Sequence, residues 1–98
     1  MAVFYHVTGQ IEYGRFGRFV KALESYKAFR SKRGWAVPTV LASLAGPMNT
    51  VRMVYQYTDM EELRREEETA AVDPDYVAVA RRLGFAHGTI AFEVYRLI

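Results

Sequence analysis

The segment TVRMVYQY, residues 50–57, limits the possible folds more than any other stretch, because it reads as a strand carrying groups that prefer burial on both faces. Val51, Met53, Tyr55 and Tyr57 fall on one side of a two-residue period, and Arg52, Val54 and Gln56 on the other. Something must cover one face fully and shelter part of the second. The 98 residues suffice for one core, and a chain this small leaves much of its surface in water unless it associates. Residues 1–98 are accordingly read as a single domain.

The neighbouring segments supply the cover. Residues 3–11, VFYHVTGQI, set Val3, Tyr5 and Val7 against Phe4, His6, Thr8 and Gln10, the period of a half-buried strand. From Tyr13 to about Lys32, Phe16, Phe19, Val20, Leu23, Tyr26 and Phe29 or Arg30 recur at intervals of three and four, and Gly34 stands where a helix-ending glycine belongs. Residues 37–45 are apolar on both sides of any strand drawn through them, and Gly46-Pro47-Met48-Asn49 turns them back into 50–57 as a hairpin. Thr58 with Glu61 and Asp59 with Glu62 form overlapping capping boxes that predict a helix start. That helix cannot pass Pro74 unbent. Asp73-Pro74 predicts a fresh N-cap with proline at the first helical position, restarting a helix on Tyr76, Val79 or Ala80, and Leu83, with Gly84 ending it. Residues 89–98, TIAFEVYRLI, alternate as a last strand.

The order β-α-β-β-α-β predicts a ferredoxin-like α+β fold, a four-stranded antiparallel sheet with its helices on one face. The other face then holds Phe4, His6, Thr8 and Gln10, one set from the hairpin, and Ala91, Glu93, Tyr95 and Leu97. That mixture is too aromatic for an ordinary wet surface, and exposed apolar patches mark interfaces. A second copy packing sheet to sheet as a twofold homodimer is the expected cover, enclosing a cavity lined by the polar members.

Several function classes are set aside. Seven bases against Glu24 between Tyr13 and Arg33 give a local net charge of +6, and eight acids against Arg64 and Arg65 between Asp59 and Asp75 give −6. Two such helices side by side neutralise each other, which disfavours a nucleic-acid surface. A basic, aromatic first helix is also a candidate for an anionic membrane, but its apolar stripe is needed over the sheet. The chain has no cysteine, and so no thiolate chemistry. No apolar run approaches the roughly 18 residues that span a bilayer, and Met1-Ala2-Val3-Phe4 leads directly into a strand pattern. The expectation is an unprocessed cytoplasmic protein.

The stretch from Gly46 to Leu83 resembles the NIPSNAP family of the dimeric α/β-barrel superfamily. The resemblance rests on the Gly-Pro-x-Asn turn (Gly46, Pro47, Asn49), the strand ending aromatic-x-Tyr (Tyr55, Tyr57), an acidic helix with Arg64 and Arg65, and Asp-Pro-x-aromatic (Asp73, Pro74, Tyr76). Tyr55 and Tyr76 stand where the family usually has tryptophan, and its third-strand histidine is missing. The resemblance implies a homodimer with a pocket between sheet and helices. It does not imply one chemistry, since the superfamily spans cofactor-free oxygenases, heme enzymes, isomerases and members of unassigned role.

Two readings of function follow. The first is a non-catalytic protein binding a small, partly aromatic or polyketide-like molecule. Tyr55 and Tyr95, with Tyr57, are then the aromatic surfaces, and Thr8, Gln56 and Arg52 fix ligand oxygens. The second is a cofactor-independent monooxygenase or cyclase-like enzyme, with His6 as general base, Glu93 orienting it and Arg52 stabilising oxyanion charge. Antiparallel pairing of the last strand with the first can bring Glu93 beside His6, and Glu93 is equally a partner for Arg52. His87 could complete a two-histidine, one-carboxylate metal set with them, but no His-x-His or Glu-x-x-His spacing supports it. No metal or other cofactor is therefore expected. Trp35 is read as a cap over the core or dimer edge. The glycines of Gly14-Arg15-Phe16-Gly17-Arg18-Phe19 lack phosphate-loop spacing, and no Gly-x-Ser-x-Gly elbow exists.

Overall fold

The chain is described over residues 1–98 by a computed structural model. It runs β1 (Val3–Gln10), α1 (Phe16–Lys32), β2 (Thr39–Ala42), β3 (Thr50–Tyr57), α2 (Met60–Ala71), α3 (Pro74–Arg81) and β4 (Ala91–Arg96). The strands form one antiparallel sheet in the order β2-β3-β1-β4. This is the ferredoxin-like α+β arrangement, with the second helical element divided at Pro74. The division is local chemistry. Proline has no N–H to continue α2, and the Asp73 carboxylate accepts from the N–H groups of Asp75 and Tyr76 to start α3. At the start of α2, Asp59 accepts from Glu62 N–H, while the Glu62 carboxylate reaches back to the N–H and hydroxyl of Thr58.

Three elements are shorter than the sequence expectation. α1 begins at Phe16 rather than Tyr13, because Gly14 takes a positive φ of 82° and turns the chain first. β2 is only Thr39–Ala42. Beyond it, residues 43–49 form the turn, with Asn49 at φ 59°, a left-handed conformation that asparagine tolerates. β4 starts at Ala91 because the Thr89 hydroxyl is spent on the turn before it, accepting from Gln10 N–H and donating to the Ala86 carbonyl.

The register fixes the two faces. Val3, Tyr5, Val7 and Gly9 pair with Tyr57, Tyr55, Met53 and Val51, and Tyr5 and Val7 pair with Val94 and Phe92 across to β4. This face carries the helices and the core, with Phe19 and Tyr26 from α1 and Leu63 from α2 buried against it. Gly9 is required by packing: a Cβ there would lie 2.5 Å from the Phe85 ring, which crosses β1 to reach Phe19. The opposite face presents Phe4, His6, Thr8, Arg52, Val54, Gln56, Glu93 and Tyr95 among others, and none of its residues is fully buried.

The opposite charges of the helices meet in part, as expected, through Arg30 with Glu66 at 2.8 Å and Arg33 with Asp73 at 2.9 Å. Arg64 instead pairs along its own helix with Glu61 and Glu68. No helix is long and apolar enough to cross a membrane.

Candidate functional site

Between the sheet and the helices lies a cavity of about 320 Å³ lined by 17 residues, 14 of them hydrophobic. Its floor is the helix-facing side of the sheet, with Tyr5 and Val7 from β1, Met53 and Tyr55 from β3, and Phe92 from β4. Ala70 and Ala71 of α2 and Ala80 of α3 form the roof, where small side chains leave space. β4 is an edge strand whose helix-facing Phe92 is 61% exposed, so the cavity opens toward this edge. At the mouth the rings of Tyr5 and Phe92 lie parallel, 6° apart in plane, with centroids 6.0 Å apart.

The inner end is polar. Arg30 of α1 is only 4% exposed, and Glu66 of α2 opposite it 11%. Nη2 of Arg30 donates to Glu66 Oε2 at 2.8 Å, and its Nε donates to the Ala36 carbonyl. The Glu66 carboxylate also accepts from Ala36 N–H at 2.7 Å and from the Tyr57 hydroxyl. Four rings surround the guanidinium, with centroids 4.8 Å (Tyr55), 5.6 Å (Trp35), 5.7 Å (Tyr76) and 5.8 Å (Tyr26) from Cζ. Burial opposes the Arg30 charge, but the tyrosines and Glu66 more than offset this and keep it protonated. Burial also drives the hydroxyls of Tyr26, Tyr55, Tyr57 and Tyr76 above the ordinary tyrosine range, so they act as neutral hydrogen-bonding groups. Trp35 packs edge-on against Tyr76 at 5.5 Å and caps this end of the core.

The residues singled out from the sequence divide between the two faces. Tyr55 lines the cavity, whereas Thr8, Gln56 and Tyr95 lie on the opposite, helix-free face, so the four do not form one ligand surface. The sheet separates them, since neighbouring residues along a strand point to opposite sides. The cavity of the single subunit lies on the helix side of the sheet, where the resemblance implied a pocket.

On the open face His6, Arg52 and Glu93 do meet. His6 pairs directly with Glu93 across the β1–β4 register. Arg52 Nη1 donates to His6 Nδ1 at 2.8 Å and lies 3.6 Å from Glu93, to which the Tyr95 hydroxyl donates at 2.7 Å. Arginine has no acceptor, so His6 carries its proton on Nε2 and its basic lone pair is directed at Arg52. His87 is not drawn in, and no group of three or more potential ligands is placed to hold a metal ion.

Partial burial, then Arg52, hold the His6 imidazole below its ordinary 6.5, with Glu93 acting weakly the other way. A histidine with a depressed pKa binds fewer protons folded than unfolded, so its contribution is complete above 6.5 and is lost as pH falls through the lower folded value. A proton-coupled NMR titration of the His6 ring should therefore give a midpoint below 6.5, and Arg52→Leu should move that midpoint upward. A wild-type midpoint at or above 6.5 contradicts this arrangement.

The pairing of Arg30 with Glu66 escapes the sequence reading, which places Arg30 on the inward stripe only as an alternative to Phe29. Arg30 continues the inward stripe Phe19, Leu23, Tyr26 of α1, and Glu66 lies between the buried Leu63 and Ala70 of α2. Opposite charges at inward positions of two neighbouring helices are the signature of a buried pair.

Fold and cavity together define an α+β protein of ferredoxin-like architecture with an apolar pocket between its sheet and its helices. Solved structures of this architecture include NIPSNAP proteins. One is an uncharacterized NIPSNAP domain protein from Burkholderia xenovorans, 20% identical, with a TM-score of 0.79 over 100% of this chain and 95% of that one. A second, a NIPSNAP-like domain protein from the same organism, is 12% identical with a TM-score of 0.81, covering 99% and 85%. A third, a proposed antibiotic biosynthesis monooxygenase from Caulobacter crescentus, is 13% identical with a TM-score of 0.76, covering 99% and 90%. No family model matches the sequence, and no curated protein matches it. At these identities the likeness is one of fold, and it agrees with the resemblance carried by residues 46–83.

Proposed function

We propose that this chain is a non-catalytic binding protein that works as a twofold homodimer and holds a flat, partly aromatic small molecule between its sheet and its helices. The cavity carries this reading: its volume lies within the usual range for small-ligand sites, and its lining is apolar with a few polar groups at one end. The homodimer rests on the open face, where Phe4, Val54, Leu41 and Tyr95 keep solvent contact beside polar neighbours.

The monooxygenase reading draws support from the fold of the Caulobacter protein. It is less well served by geometry. His6, Glu93 and Arg52 lie on the far side of the sheet from the cavity, and the His6 lone pair is already engaged. The cavity itself presents tyrosines made harder to ionise by burial and an arginine that stays protonated.

Ala70 is buried and forms part of the roof, so Ala70→Phe would place a ring in the cavity. The expected result is at least tenfold weaker binding of naphthylmethanol, followed by calorimetry, with circular dichroism confirming the fold; one unit of log affinity is about 1.4 kcal/mol. Unchanged affinity in a folded variant would place the ligand elsewhere.

A further inference from the structure

The charges around the cavity do not balance, and this bears on which ligands it accepts. Arg30 is the single cation in the lining, and Glu66 neutralises it at 2.8 Å. Glu67, the next residue of α2, also lines the cavity and forms no ion pair with any cation of the chain. Tyr5 lines the same cavity, and after burial the Glu67 carboxylate is the next influence holding the Tyr5 hydroxyl above the ordinary tyrosine range. Tyr5 in turn stacks with Phe92 at the mouth, so an unpaired carboxylate stands beside a pair of parallel aromatic faces. Aromatic faces attract cations through their quadrupole, and a carboxylate adds a point charge and hydrogen-bond acceptors for an ammonium group. Other rings deeper in the cavity, those of Tyr26, Tyr55 and Tyr76, already surround a cation, the Arg30 guanidinium. A ligand carboxylate would meet the opposite: Arg30 is committed to Glu66, and Glu67 repels.

We propose that the cavity selects flat aromatic molecules bearing an amine, held with the ring system against Tyr5 and Phe92 and the ammonium group at Glu67, and discriminates against aromatic carboxylates. The proposal rests on the cavity being a binding site, and it adds the charge of the ligand.

Three probes of one shape separate the two ideas: naphthylmethylammonium, naphthylmethanol and naphthoate, titrated calorimetrically into the intact protein near neutral pH and low salt. The cation is expected to bind about tenfold more tightly than the alcohol, and the carboxylate more weakly than either, the scale of one screened charge at a partly exposed site. Glu67→Gln should close the roughly tenfold gap between cation and alcohol, each measured on the variant itself. Glu67 is exposed on α2, so this variant should keep the wild-type melting temperature. Should naphthoate bind most tightly, or the Gln variant keep the wild-type preference for the cation, charge selection is overturned and the binding cavity stands. Should none of the three bind to folded protein, the binding reading itself fails and this proposal with it.

Discussion

Glu66→Ala should lower the stability of the fold by about 3–5 kcal/mol, the cost of leaving a buried charge without its partner. The effect is large because one carboxylate serves three donors: Arg30 Nη2, Ala36 N–H and the Tyr57 hydroxyl. Removing it strands a guanidinium that is 4% exposed and enclosed by four rings, together with a backbone N–H whose acceptor is gone. For a domain whose total stability is about 5–15 kcal/mol, the variant would be partly unfolded at ordinary temperature. The double variant Arg30→Met with Glu66→Leu should recover the part of the loss that comes from the stranded charge, while the Ala36 N–H and carbonyl and the Tyr57 hydroxyl stay without these partners. Urea titrations of the three proteins measure this through their midpoints. A midpoint for Glu66→Ala within about 0.5 M of wild type, at an ordinary slope of about 1–3 kcal/mol per molar urea, would show that Arg30 finds water or another partner at no great cost.

Val54→Asp should convert the proposed homodimer into single subunits. Val54 lies in the middle of the open face, opposite His6 on β1 and Thr39 on β2. An aspartate there is too short to reach the rim of an interface, and the nearby Arg52 is already engaged by His6 and Glu93. Twofold symmetry would introduce the carboxylate twice, so association should weaken by at least about 100-fold, from the cost of burying poorly paired charge. Sedimentation equilibrium at micromolar concentration should give a two-subunit mass for the wild type and a one-subunit mass for the variant. A wild type that sediments as one subunit would remove the homodimer and leave the open face to water.

The ferredoxin-like order was legible because each element is specified by neighbours in sequence. The strand Val3–Gln10 shows its period in eight residues, and Asp73-Pro74 restarts a helix wherever it occurs in a chain. The proximity of His6 and Glu93 was also within reach, since antiparallel pairing of the first and last strands admits few registers. The cavity was not. Tyr55 and Gln56 are adjacent in sequence and lie on opposite sides of the sheet, so a ligand surface drawn from composition joined residues that the backbone keeps apart. The short β2 and late β4 were missed for a related reason. Both are edge strands, whose length depends on how far a single partner extends and on turn hydrogen bonds such as those of Thr89.

The sequence by itself determined the kinds of element, their order, the helix break at Pro74 and the two-sided character of β3. These follow from backbone sterics, capping and side-chain period, which act over a few residues. Only the tertiary structure decided that Arg30 and Glu66, 36 positions apart, form a buried pair. It also decided that small residues on α2 and α3 leave a cavity above Tyr5 and Phe92, and that Glu67 stands at its edge without a cation. Those outcomes depend on the angle and distance at which helices settle on a sheet, set by the packing of the whole core rather than by any local stretch of chain.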